Sequence, residues 1–166
     1  MLWLMVSTAL AQDYFQFTVV GDTQTDGDAS GETSVNWDVL PQLIEDMNTH
    51  DPSFGLFVGD LVGGSSSMSA TVAQWEEFKN ATAAFNGEIY AVPGNHDFYG
   101  DEETYENWAE TFDWLPGDNS PAGEEKMTYW FDYGDSRFIS VVTDDPSGYV
   151  PCTQQEWLDD VLANSG

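Results

Sequence analysis

The apolar residues of this chain follow two alternating periods. Residues 14–20 form a β-branched and aromatic run that stops at Gly21-Asp22, and it reads as a buried strand ending in a loop. The same form returns twice: residues 54–58 run into Gly59-Asp60, and residues 88–92 run into Pro93-Gly94-Asn95-His96-Asp97. Between these strands the apolar spacing lengthens to three and four. Trp37, Leu40, Leu43, Ile44 and Met47 share one face of a predicted amphipathic helix, and Val72, Trp75, Phe78 and Phe85 mark a second. A strand-helix-strand-helix-strand order needs crossover connections, which predicts an α/β fold around a parallel sheet.

The second half changes character. Tyr105, Trp108 and Phe112 are spaced for a third helix, and residues 128–133 and 138–143 flank Gly134-Asp135 as the arms of a hairpin. Thr153 and Glu156 fit a capping box at the start of a last helix, whose apolar face is Trp157, Leu158, Val161 and Leu162. Gly63 to Ser67 reads as a short flexible loop, and residues 115–123 as a turn-rich connection. Neither stretch is long enough for a domain linker, and 166 residues suit one domain.

Charge alters this picture more than size does. The chain carries 30 Asp and Glu against 3 Lys and Arg, for a formal net charge of −27. Nucleic-acid backbones are held by clustered cations, whereas Lys79, Lys126 and Arg137 are scattered, so no nucleic-acid surface is expected. An anionic membrane surface is disfavoured for the same reason. Self-repulsion on this scale destabilises a compact state at low ionic strength, so the sequence suits a medium rich in salt or divalent cations.

Residues 1–11 read as a secretory signal peptide, because a short apolar run precedes Ala9-Leu10-Ala11, although the usual basic start is missing. That leaves residues 12–166 as the domain, with a secreted or periplasmic location and no membrane span after removal of the signal. The single cysteine, Cys152, excludes an internal disulfide and is read as structural. Only His50 and His96 are histidines, and His50 closes a predicted helix, where a cation suits the dipole.

In an open α/β sheet, ligands collect beyond the carboxyl ends of the strands. Asp22, Asp60, Asn95 and His96 all fall there. Two carboxylates, an amide oxygen and an imidazole on one edge suit hard or borderline divalent cations such as Mg, Mn, Fe or Zn. Any one of these loops alone would be an ordinary turn, since Gly and Asp both tolerate unusual backbone angles. Three in this order form a pattern.

Gly21-Asp22-Thr23-Gln24, Gly59-Asp60-Leu61-Val62 and Gly94-Asn95-His96-Asp97 resemble the first three signature blocks of the calcineurin-like metallophosphoesterases. The resemblance implies a layered αββα sandwich of the metallo-dependent phosphatase type, incomplete at the C-terminus. It also implies a phosphate-ester substrate and a dinuclear centre of two divalent metal ions. Asp22 would bind the first metal, Asp60 bridge both, and Asn95 bind the second. His96 would contact the phosphate, with Asp97 nearby to orient it.

Two departures stand out. The usual first block is Gly-Asp-x-His, whereas this chain has Gln24, whose amide oxygen is a weaker ligand. The later blocks, a lone His and then Gly-His-x-His, have no counterpart, which is expected of a fragment cut at its C-terminus. The alternative is a non-catalytic acidic cation-binding module on the same fold.

Overall fold

The computed structural model describes residues 14–25, 34–97, 102–143 and 152–164. The expected signal peptide lies outside the described residues. The elements run β1 (Phe17–Val20), α1 (Leu40–Asn48), β2 (Phe54–Val58), α2 (Met68–Thr82), β3 (Glu88–Val92), α3 (Glu102–Thr111), β4 (Tyr129–Tyr133), β5 (Ser136–Ser140) and α4 (Cys152–Ala163).

β1, β2 and β3 form a parallel sheet in sequence order, and β4 and β5 form the antiparallel hairpin. Alternation along β2 divides the sheet into two faces. Phe57 meets Phe78 of α2 with ring centroids 5.2 Å apart, whereas Phe54 meets Phe131 and Phe138 of the hairpin at 5.4 and 5.0 Å. Helices therefore cover one face and the hairpin covers part of the other. This is the layered α/β arrangement expected of the fold, with β4 and β5 as its second sheet. α3 packs on α2 through Trp108 against Trp75, and Phe112, just past the end of α3, adds to the same contact. At the outer edge of β3, the carbonyls of Ile89 and Ala91 accept hydrogen bonds from Trp114 Nε1 and Tyr129 Oη, so side chains occupy part of the exposed ladder.

The predicted elements differ from the observed ones mainly at their ends. Trp37 was expected on the buried face of the first helix, but it lies in a turn and is 49% exposed. The cause is local: Asn36 Oδ1 accepts from Val39 N, and a proline stands in the first turn, so the helix starts only at Leu40. Phe85 and Phe112 fall beyond the ends of α2 and α3 yet still join the core. Leu162 is 57% exposed and leaves Val161 as the buried apolar residue near the end of α4.

Candidate functional site

The strand register sets the site. Val20 pairs with Phe57 and Phe57 with Ala91, so the loops after all three strands leave the same edge side by side. The ladder continues into those loops: Asp22 N donates to Gly59 O at 3.1 Å, and Gly59 N donates to Val92 O at 3.0 Å. Asp22 and Asp60 both adopt left-handed backbone angles, with φ of 53° and 49°, directly after a glycine. That conformation is uncommon outside glycine but several-fold enriched in Asp, and it turns each side chain sharply at the strand end.

Glycine allows the loops to touch. A Cβ on Gly94 would stand 2.3 Å from Asp60 Oδ1 and 2.4 Å from Asp60 N, and a Cβ on Gly21 would stand 2.9 Å from Val58 O. The Asn-His loop is thus pressed directly onto the second Gly-Asp loop. A cleft of about 250 Å³ opens where they meet, and Asp22, Asp60, Asn95 and Thr143 line it. A larger space of about 420 Å³ lies beside it, between the sheet and the hairpin, lined largely by apolar residues such as Leu56, Tyr90 and Phe138. Only the smaller cleft holds carboxylates and an amide.

Asp60 is held at both oxygens. His96 N donates to Oδ1 at 3.0 Å, and Gln24 Nε2 donates to Oδ2 at 3.3 Å. The Gln24 amide oxygen is buried and has no hydrogen-bond partner among the described residues. The His96 ring is exposed, and its Nδ1 lies 3.0 Å from the carbonyl oxygen of Gly63. A carbonyl can only accept, so Nδ1 is the donor in this contact and the ring's orientation is fixed by it.

Asp97 occupies a different place from the one expected. It is fully buried and accepts four hydrogen bonds, from Leu61 N at 2.9 Å, Gly94 N at 3.0 Å, Val62 N at 3.3 Å and Trp75 Nε1 at 3.3 Å. Gly63 fixes the His96 ring instead, while Asp97 ties the second loop to the third and both to α2. Burial pushes the Asp97 carboxyl up to about 7, against the downward pull of the Gly94 and Leu61 N–H groups; nearby Asp60 adds to the rise and Trp75 opposes it.

The strand reading put Asp22, Asp60, Asn95 and His96 at one edge, and the resemblance added Gln24 and Asp97; the structure lines one cleft with Asp22, Asp60 and Asn95, ties His96 and Gln24 to Asp60, and holds Asp97 in the interior beneath them. Residues the sequence reading missed are Gly63, which orients the His96 ring; Thr23, whose Oγ1 donates to Leu61 O at 2.8 Å; and Trp75, read only as core. His50 lies in the turn before β2, at the opposite end of the sheet. Among the described residues, no three His, Cys, Asp or Glu side chains form a metal-binding group. The clustered donors are two carboxylates with two amides.

A comparison with curated proteins finds no match. Among solved structures, the purple acid phosphatase PPD1 isolated from yellow lupin (Lupinus luteus) seeds is similar, with a TM-score of 0.56 and 21% identity. The alignment covers 90% of this chain and 28% of that one, so this chain spans little more than a quarter of that phosphatase and shares its fold. Residues 15–166 match the sequence profile described as calcineurin-like phosphoesterase. This match takes in all three strand-end loops, and the chain belongs to the calcineurin-like phosphoesterase family.

Proposed function

We propose that this chain carries the core of a metal-dependent hydrolase of phosphate esters, with two divalent cations held at the carboxyl end of the parallel sheet. The observation that carries the reading is the pair of left-handed aspartates, Asp22 and Asp60, facing one cleft with Asn95. The donors fit divalent cations: they are oxygens, two are anionic, and a further buried oxygen on Gln24 has no partner among the described residues. Asp22 would hold the first cation with Gln24, Asp60 would lie between the two, and Asn95 would hold the second. Such a pair, when bound, activates a water, grips the ester oxygens and reverses the local sign of an acidic chain.

The chain's own residues supply the positioning. His96 N and Gln24 Nε2 fix both oxygens of Asp60, and the loop contact at Gly94 sets where Asn95 begins. With Nδ1 engaged by Gly63, the His96 ring directs Nε2 away from that carbonyl, where, when it carries a proton, it can donate to a phosphate oxygen or to a leaving group. The proposal extends to residues 12–166 as one domain, secreted after loss of its leader. No helix among the described residues is long and apolar enough to cross a membrane.

The test is hydrolysis of a chromogenic aryl phosphate with added Mn or Zn, alongside metal content by elemental analysis. Asp60→Asn should lose both metals and lower turnover about a hundredfold or more, the scale of misplacing a reacting group. An unchanged two-ion stoichiometry would overturn the bridging role. Metal bound through Asp60 without any turnover would favour the cation-binding module instead.

A further inference from the structure

The carbonyl that orients the His96 ring belongs to the peptide joining Gly63 to Gly64, and His96 Nδ1 lies 3.0 Å from its oxygen. A peptide between two glycines is poorly placed to hold its own direction. Glycine reaches backbone angles closed to other residues, and Gly64 has φ of 68°. The direction of this carbonyl is therefore imposed from outside, by the peptides on either side of it. On one side Val62 N donates to Asp97 Oδ1 at 3.3 Å, and the same oxygen accepts from Trp75 Nε1 of α2 at 3.3 Å. On the other, both ends of the peptide joining Gly64 to Ser65 are held. Gln74 Nε2 donates to Gly64 O at 3.3 Å, and Ser65 N donates to Thr71 Oγ1 at 3.0 Å.

Thr71, Gln74 and Trp75 are spaced i, i+3 and i+4, so they share one face of α2 and meet the loop together. Thr71 is fully buried, and its hydroxyl, besides accepting from Ser65 N, lies 3.3 Å from Ser65 O and 3.4 Å from Ser67 O. Gln74 keeps its nitrogen on Gly64 although its own Oε1 is buried with no partner among the described residues. A buried acceptor in that state costs stability, so an apolar side chain of similar length would suit the packing better, and what the amide adds is its bond to the loop. We infer that Thr71 and Gln74 are positioning residues for His96, setting the direction of its ring through the Gly63 carbonyl. The inference takes its catalytic meaning from the reading of His96 as the group that meets the phosphate, but the state of the ring can be measured without metal or turnover.

The experiment reads the histidine ring nitrogens of the full chain by nitrogen NMR, at one fixed pH where imidazole is neutral. The ring nitrogen that carries the proton is set by the hydrogen bonds around it, so the tautomer reports the Gly63 contact. His50, the other histidine and at the opposite end of the sheet, is the reference in the same spectrum. Wild type should show His96 protonated on Nδ1. Thr71→Val and Gln74→Met should each lower the ratio of Nδ1- to Nε2-protonated ring about two- to tenfold, the change that loss of one hydrogen bond produces. Thr71→Ser should keep the wild-type ratio, and so should Thr82→Val, which removes another buried hydroxyl from α2. Melting temperature should hardly change in Gln74→Met, because an unpartnered acceptor is lost together with the hydrogen bond; a merely structural Gln74 would move the melting temperature and leave the ring alone. Gln74 is only half-buried, so Gln74→Met decides the matter if Thr71→Val fails to fold. A wild-type ring protonated on Nε2, or a His96 ratio unchanged in the folded variants, overturns the positioning role. A Thr82→Val ring that moves as far as the Thr71→Val ring overturns it too, since the effect would then be a general loosening of α2. Failure of the hydrolase reading shows separately, in the Asp60→Asn assay, and does not alter the ring measurement.

Discussion

Asp97 closes the interior side of the site, and its chemistry is set by two opposed forces. Four N–H donors fill the lone-pair positions of its carboxylate, which favours the ionised form, while complete burial favours the neutral one. Burial wins, to about 7. An unfolded Asp titrates at about 3.9, so the folded protein holds the proton more tightly. The stability from protonated Asp97 is fully present below about pH 4 and is lost as pH rises through about 7, at up to about 1.4 kcal/mol per pH unit. Asp97→Asn cannot titrate, and its NH₂ would face N–H donors, so the variant should be less stable by about 1–3 kcal/mol at pH 8. Denaturant unfolding should show the gap between wild type and variant widening from pH 7 to pH 4. A gap that stays flat would mean that the four donors keep Asp97 ionised throughout.

Each strand of the parallel sheet delivers its chemistry through the residues just past its end. The left-handed turns at Asp22 and Asp60 cost of order 1–3 kcal/mol each, and the interlocked loops hold them. Gly94 is the tightest point of that interlock. Gly94→Ala should therefore push the third loop off Asp60, costing about 1–3 kcal/mol of stability and most of the metal binding. Gly117→Ala is the control, since its nearest neighbour is a flexible lysine side chain at 3.4 Å. Melting temperature and metal content read both variants, and a Gly94→Ala protein that keeps its metal would refute the close-contact account. The strands and hairpin were legible because β-branched and aromatic runs broke at Gly-Asp, Asn-His and Gly134-Asp135. Helix limits were less legible, because at Trp37 a turn closed by the Asn36 side chain overrode the period of the apolar residues. The interior role of Asp97 was hidden for another reason: its partners Trp75 and Leu61 lie 22 and 36 residues away, and only the packed loops bring them together.

At the scale of the whole molecule, the dominant force outside the core is repulsion among carboxylates. All three basic residues are already engaged. Lys79 pairs with Glu76 at 2.8 Å, Arg137 pairs with Asp132 at 2.7 Å and lies 3.7 Å over the Trp130 ring, and Lys126 Nζ donates to Ala109 O at 2.8 Å. Salt weakens attraction and repulsion alike, so the balance decides the sign. The two described ion pairs are at the surface, where such pairs contribute about 0–1 kcal/mol each, and 30 acidic residues outnumber them heavily. Screening, with a Debye length of about 30 Å at 0.01 M and about 3 Å at 1 M, should therefore raise the melting temperature by several degrees between those NaCl concentrations. A divalent cation should act in two ways, by screening and by binding at the strand ends. At matched ionic strength, MnCl₂ should raise the melting temperature of wild type beyond NaCl, and Asp60→Asn should lose only that excess. If the melting temperature is flat or falls in NaCl, the acidic residues are spaced widely enough for solvent alone to screen them, and the charge excess has some role other than adaptation to salt.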